Sequence, residues 1–276
     1  MLPQLANTYN PSKTYPNSQW LASAKLDGVR CLYLPNKGLT SRSLKLRYVG
    51  FEIIEQACKL MCDTNNLSFL DGELYIRDEK FDVISGIVRS MNNIDRAAKA
   101  RVEFHIFAFG SNSEPAMPAD RMVALLAEMM IDCANIIWVY QKLIPNTPTA
   151  VQAESELVKS SGRSNEGIML RNPSSVYAGV RSNNLLKVKN FVKSTFVIVG
   201  FTKGTGKYAN SLGNLLIRGM PDQVVVNSKV GTGFSDLQRS NIWTNQSNYL
   251  GKDIEVIYLG VTPGGSLRHP VFSQFV

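Results

Sequence analysis

The pattern of this 276-residue chain changes near Lys189, and that change limits what the chain can fold into. Before it, the runs 70–76 (Leu70, Asp71, Gly72, Glu73, Leu74, Tyr75, Ile76) and 102–109 (from Val102 to Phe109) read as strands, rich in aromatic and β-branched residues. Stretches with helical apolar spacing lie around them at 49–62, 120–130 and 149–160, with Asp120 expected to cap the second. Strands separated by helices predict an α/β domain with a substantial sheet. After Lys189, short strand candidates follow at 195–201, 212–218, 224–230, 254–259 and near Phe272, with one helix expected at 235–242. Five short strands and one helix fit a small β-barrel. The expected boundary lies at 190–193, giving domains 1–191 and 192–276.

Composition narrows the function classes. A 44% hydrophobic and 19% charged content is that of a folded globular protein, and the net charge of +8 suits a polyanionic partner. The start, Met1-Leu2-Pro3-Gln4, lacks the basic region and apolar run of a signal peptide, and no apolar stretch is long enough to span a bilayer. A cytoplasmic protein is expected. Cys58 and Cys62 lie one helical turn apart, but no second ligand pair follows at zinc spacing, so these and Cys31 and Cys133 read as buried thiols. With His105 and His269 the only histidines, a multi-histidine metallohydrolase is excluded.

The segment Ala24-Lys25-Leu26-Asp27-Gly28-Val29-Arg30 offers a nucleophile. Lysine becomes nucleophilic when burial or nearby cations leave it partly neutral. By itself Lys-x-Asp-Gly is weak evidence, because Asp-Gly is an ordinary hairpin turn. Further along, Glu73 follows a second Asp-Gly pair, read as another turn, and has the chemistry to accept a ribose hydroxyl. Phe107 lies in a stripe of aromatics that serves as core or as a base-stacking ring. Glu166, opening Glu166-Gly167-Ile168-Met169-Leu170-Arg171, suits Mg²⁺. Lys187 and Lys189 flank Val188 on one face of a strand, where two like charges repel unless an anion meets them.

In this order, with Ser41-Arg42 between the first two, these elements resemble the motif set of the covalent nucleotidyltransferases: DNA ligases, RNA ligases and messenger-RNA capping enzymes. The forms Asp-Gly-Glu-Leu, Glu-Gly-Ile-Met-Leu-Arg and Leu-Leu-Lys-Val-Lys are most similar to those of ATP-dependent DNA ligases. The resemblance runs on through Leu212-Gly213-Asn214, Val230-Gly231-Thr232-Gly233-Phe234 and Leu267-Arg268-His269-Pro270.

It implies an α+β nucleotidyltransferase (ATP-grasp-like) domain followed by an OB-fold barrel. Lys25 would attack the ATP α-phosphate and carry AMP. Arg30 and Glu73 would contact the nucleotide and its ribose, and Phe107 would stack on adenine. Glu166 would help hold Mg²⁺ or Mn²⁺, Lys187 and Lys189 would grip the α-phosphate, Arg42 would meet the nick 5′-phosphate, and Arg268 would orient pyrophosphate. The implied partner is nicked double-stranded DNA, bound by a monomer away from membranes.

Two departures stand out. The last motif of relatives continues into further charged residues, whereas this chain stops at Phe275-Val276. The turn at Gly219-Met220-Pro221-Asp222 is too short for the barrel insertion that some minimal ligases close around DNA, which leaves the grip to the domains and to basic loops such as 203–207. That loop is not a P-loop, because Gly200 is one residue too far from Gly206-Lys207 and Tyr208 replaces the required Ser or Thr. An RNA ligase or capping guanylyltransferase, and a non-catalytic nucleic-acid binder, remain the alternatives at this level.

Overall fold

The computed structural model describes residues 2–92, 94–129, 133–164, 166–262 and 264–276. Chain contacts divide it into two units, Met1–Val188 and Lys189–Val276. In the first unit, β1 (Leu5–Thr8), β2 (Gln19–Ala24), β8 (Gln141–Pro145), β9 (Gly167–Arg171) and β10 (Arg181–Lys189) form one sheet, in the order β1-β10-β9-β2-β8. A second sheet takes the order β4-β3-β5-β6-β7, from β3 (Val29–Leu34), β4 (Gly38–Ser41), β5 (Leu67–Tyr75), β6 (Glu103–Ser111) and β7 (Ile136–Trp138). The helices are α1 (Glu52–Asn65), α2 (Phe81–Arg89), α3 (Arg96–Ala100), α4 (Ala119–Glu128) and α5 (Pro148–Ser160).

Alternation along the strands decides which face each sheet buries. In the first sheet, Trp20 and Ala22 of β2, Ile168 and Leu170 of β9, and Leu186 of β10 pack with Val151 and Val158 of α5. In the second, Cys31 and Tyr33, Leu70 and Leu74, and Phe104 and Ile106 pack with Ile54 and Cys58 of α1, Ile84 of α2 and Met122 of α4. Each sheet therefore spends one face on its helices and keeps the other for the residues between the sheets. Fully burying side chains such as these contributes roughly 1.5–3 kcal/mol apiece.

Several local expectations are corrected. Asp120 is not the N-cap of α4, which starts at Ala119: the N–H groups of Ala119 and Asp120 donate to the carbonyls of Ser175 (2.9 Å) and Pro173 (3.0 Å), and among the described residues the Asp120 side chain accepts only from Arg121 N–H, at 2.7 Å. Met130, the last residue expected in that helix, lies outside the described residues. The helix expected from residue 49 starts at Glu52, after Gly50 at φ 81°. Asp71-Gly72 is not a turn but the middle of β5, paired with Leu32 and Cys31 of β3. Asp27-Gly28 joins no hairpin either, because β2 and β3 belong to different sheets.

The second unit contains β11 (Val192–Lys203), β12 (Leu212–Gly219), β13 (Val226–Val230), α6 (Asp236–Thr244), β14 (Asp253–Tyr258) and β15 (Val271–Phe275). Its sheet runs β13-β12-β11-β14-β15, with the helix between the third and fourth strands, and Phe272 N–H donates to the Thr232 carbonyl at 2.9 Å to link the two ends. Phe196, Ile198, Leu215, Ile217, Ile254 and Val256 fill it together with Ile242 of α6. Ser235 and Gln238 form a capping box that starts this helix. This is the small barrel expected after Lys189, and the first unit is α+β rather than α/β, because its strand pairs are mostly antiparallel.

Gly72 is forced by packing, since a Cβ there would stand 2.4 Å from the His105 carbonyl oxygen of β6. We expect Gly72→Ala to destabilise the first unit by about 1–3 kcal/mol, read as a lowered urea midpoint. An unchanged midpoint would show that the β5–β6 pairing is looser than this contact requires.

Candidate active site

Lys25 follows directly on β2 as the chain crosses from the first sheet to the second. Its backbone is fastened to the first sheet: Lys25 N–H donates to the Gly167 carbonyl at 2.9 Å, and the Ser164 hydroxyl donates to the Lys25 carbonyl. Three residues on, Gly28 meets the second sheet so closely that a Cβ would lie 2.5 Å from the Leu74 carbonyl oxygen. A lysine is thus held where two sheets meet, with glycine required at the point of contact.

Glu166 approaches from just before β9. Its N–H donates to Ser164 Oγ at 3.1 Å, so one hydroxyl positions both residues. Its carboxylate forms an ion pair with the Lys25 ammonium, and both side chains are largely withdrawn from solvent. The sequence led us to expect cations around Lys25; its immediate partner here is an acid.

The second sheet presents Arg30 and Glu73 as cross-strand partners, and Glu73 is paired in turn with His105. Such partners share a face. By alternation Asp71 and Tyr75 of β5 and Phe107 of β6 lie on that face too. Asp71 is fully buried. Arg30 grips it from two directions, Nε to Oδ1 at 2.7 Å and Nη2 to Oδ2 at 2.6 Å. Burial works against the Arg30 cation, but Asp71 outweighs it and holds its pKa above the ordinary value. The guanidinium carbon also stands 4.4 Å from the centre of the Phe107 ring, in cation–π contact.

Burial pushes the Glu73 carboxyl up to about 7, against the pull of Arg30 and Lys25 and with the help of Asp71 and Glu166. His105 is buried and its Nε2–H donates to Glu103 Oε2 at 2.7 Å, and burial lowers its pKa despite that acid.

The first sheet answers with its own open face. Met169 and Arg171 alternate with the core residues Ile168 and Leu170, and Lys187 alternates with Leu186 and Val188. Gln141 Nε2 of β8 donates to the Phe107 carbonyl at 2.8 Å, tying the two sheets together. The structure therefore brings Lys25, Glu166 and Lys187 to one wall and Arg30, Glu73 and Phe107 to the other. Arg42 stands apart in the exposed turn after β4. Lys189 and Arg268 belong to the second unit, where hydrogen bonds from Arg268 N–H to the Gly260 carbonyl (2.8 Å) and from Leu259 N–H to the Arg268 carbonyl (3.0 Å) fix the Arg268 backbone.

Sequence reasoning missed Ser164, Asp71, Tyr177 and Gln4. Asp71 carried a signal, its place in the Asp-Gly-Glu motif, but it was read as a turn; the others carried none.

A lysine amine at the junction of two sheets, with an acid beside it and an arginine-backed aromatic ring opposite, followed by an OB-like barrel, is the arrangement expected of a covalent nucleotidyltransferase. Residues 1–189 match the family of ATP dependent DNA ligase domains, and residues 203–275 match the DNA ligase OB-like domain. The chain belongs to the ATP-dependent DNA ligase family, and it is a DNA ligase that uses ATP. It is 24% identical over 268 residues to a DNA ligase of Haemophilus influenzae, covering 97% of this chain and 90% of that one. A DNA ligase of African swine fever virus is 24% identical over 188 residues, 64% of this chain and 42% of that protein. Among solved structures, a Lig E DNA ligase studied for DNA binding with a minimal scaffold superposes with a TM-score of 0.79 at 25% identity, covering 100% and 99% of the two chains. The Chlorella virus DNA ligase-adenylate shares the fold at a TM-score of 0.54 and 23% identity, with 100% and 99% covered. These matches set aside the RNA-ligase, capping and non-catalytic alternatives.

A carboxyl raised from 4.5 to about 7 makes its charged form a cost to folding that is absent below 4.5 and complete above 7. Glu73→Gln removes that cost. Relative to wild type, the variant should gain stability as pH rises from 4.5 to 7, by roughly 3 kcal/mol, and then level off. Urea unfolding across this range checks it; parallel curves for the two proteins would place the Glu73 carboxyl in water.

Proposed function

We propose that Lys25 is the nucleophile of a ligase that seals 5′-phosphate/3′-hydroxyl nicks in duplex DNA, acting as a monomer. The reading rests on the Lys25–Glu166 pair, which lies at the sheet junction with Lys187 on the same wall and Arg30, Glu73 and Phe107 on the other. The Lys25 amine attacks the α-phosphorus of ATP, forming a phosphorus–nitrogen bond as pyrophosphate departs. To do so Lys25 must give up a proton and part from Glu166. Glu73 accepts from the ribose, Phe107 offers its ring to adenine, and Lys187 with Lys189 neutralises charge on the α-phosphate. Arg268 of the barrel orients pyrophosphate in this first step. AMP then passes to the DNA 5′-phosphate, met by Arg42, and the 3′-hydroxyl displaces it. Phosphoryl transfer of this kind depends on positioning and on neutralising developing charge. We take residues 1–191 as the adenylation domain and 192–276 as the barrel.

A divalent ion fits the donor chemistry. Among the described residues no cluster of three or more His, Cys, Asp or Glu could hold a metal alone. Mg²⁺ is commonly held by one or two carboxylates and by substrate phosphates, and Mn²⁺ takes the same ligands. Glu166 would hold it. When bound, the ion supplies positive charge to the phosphate oxygens during transfer.

The direct test is incubation with α-labelled ATP and Mg²⁺ followed by denaturing electrophoresis. Wild type should carry an acid-labile label that falls by at least ~100-fold in Lys25→Ala and in excess EDTA. A label surviving Lys25→Ala would assign the nucleophile elsewhere.

Arg42 separates the steps. Arg42→Ala should leave self-adenylylation within about threefold of wild type while nick sealing falls about tenfold or more. Equal losses in the two assays would refute a role at the nick phosphate.

A further inference from the structure

Tyr177 lies between β9 and β10, outside the residues assigned above to catalysis or nucleotide contact. Its hydroxyl donates to Asp71 Oδ2 at 2.5 Å and accepts from the backbone N–H of Gln4 at 3.1 Å. Its ring packs on Phe69 of β5 with centroids 4.8 Å apart. Gln4, itself buried, accepts from Arg171 Nη1 of β9 at 2.9 Å through Oε1. Burial, then the Asp71 carboxylate, pushes the Tyr177 pKa up, so the hydroxyl keeps its proton and donates.

These contacts form one chain: Arg171, Gln4, Tyr177, Asp71, Arg30, Phe107. It begins on the first sheet and ends on the second, and so crosses the space that separates the two walls. Asp71 Oδ2 serves two donors, Arg30 Nη2 and the Tyr177 hydroxyl. The second donor fixes the carboxylate plane, the carboxylate fixes the planar guanidinium, and the guanidinium covers one face of the Phe107 ring. In the adenine-platform reading of Phe107, a flat base would take the other face.

We propose that Tyr177 is a positioning residue for ATP: through Asp71 and Arg30 it sets the pose of the Phe107 ring, and through that pose the affinity for adenine. This rests on the reading of Phe107 as the adenine platform. Arg30 then acts on the base through the ring it backs. Without the hydroxyl, Asp71 keeps only Arg30 as a donor and the Gln4 N–H loses its acceptor, so both ends of the tie loosen while the charges remain paired.

Tyr177→Phe keeps the ring on Phe69 and removes only the hydroxyl. In self-adenylylation with labelled ATP, we expect the KM for ATP to rise about 5- to 20-fold with kcat within about twofold. Phe107→Ala should raise the KM as well. In the Phe107→Ala background, Tyr177→Phe should add less than about twofold, because both changes act through one ring. An unchanged KM in Tyr177→Phe, a fall in kcat that tracks a lowered Tm, or full additivity of the two substitutions would overturn the proposal. If Phe107→Ala itself leaves KM unchanged, the platform reading fails and this proposal with it. A strong Phe107→Ala effect beside a silent Tyr177→Phe overturns the Tyr177 role alone.

Discussion

The site depends on the close approach of two sheets where the chain passes from one to the other. Lys25 is hydrogen-bonded into the first sheet through Gly167, and three residues later Gly28 lies against the Leu74 carbonyl of the second. No side chain fits at that contact. Because only two residues separate the fastening from the contact, the Lys25 backbone has little freedom. Each sheet buries one face under helices, so the faces left between them are where polar side chains gather. The lysine stands where those faces meet.

Charge in this space is balanced locally. Asp71, without exposure to water, is matched by the Arg30 guanidinium and the Tyr177 hydroxyl, and Lys25 is matched by Glu166. A buried charge stripped of its partner costs several kcal/mol, so such pairs persist unless another charge replaces one member. Glu73 and Arg171 are exceptions: burial dominates at both, moving the Glu73 carboxyl up to about 7 and the Arg171 guanidinium down to about 10. In the proposed mechanism, nucleotide phosphates would replace Glu166 as the anion beside Lys25, and a ribose hydroxyl would donate to Glu73.

Much of the fold was legible in the chain. The runs 70–76 and 102–109 are parts of β5 and β6, and the five short strands with one helix after Lys189 form the OB-like unit. Both signals come from side-chain period and β-branched or aromatic content, which act over a few residues. Asp120 as a cap and Asp71-Gly72 as a turn failed for one reason. Each assumed that a local preference would be met locally, while a distant carbonyl from Ser175, and the register of β3 against β5, took its place.

By itself the sequence determined the chemical inventory: a lysine before Asp-Gly, an acid entering a strand, an aromatic stripe and paired lysines, in an order that resembles the ligases. It also determined which faces are apolar, because strand alternation is a property of the chain. Only the tertiary structure decided that Asp27-Gly28 is a passage between sheets, that Glu166 pairs with Lys25, and that Arg30 is tied to Asp71 and laid over Phe107. These contacts join residues up to 141 positions apart. Their distances follow from how two sheets pack, and no periodicity within one segment encodes that packing.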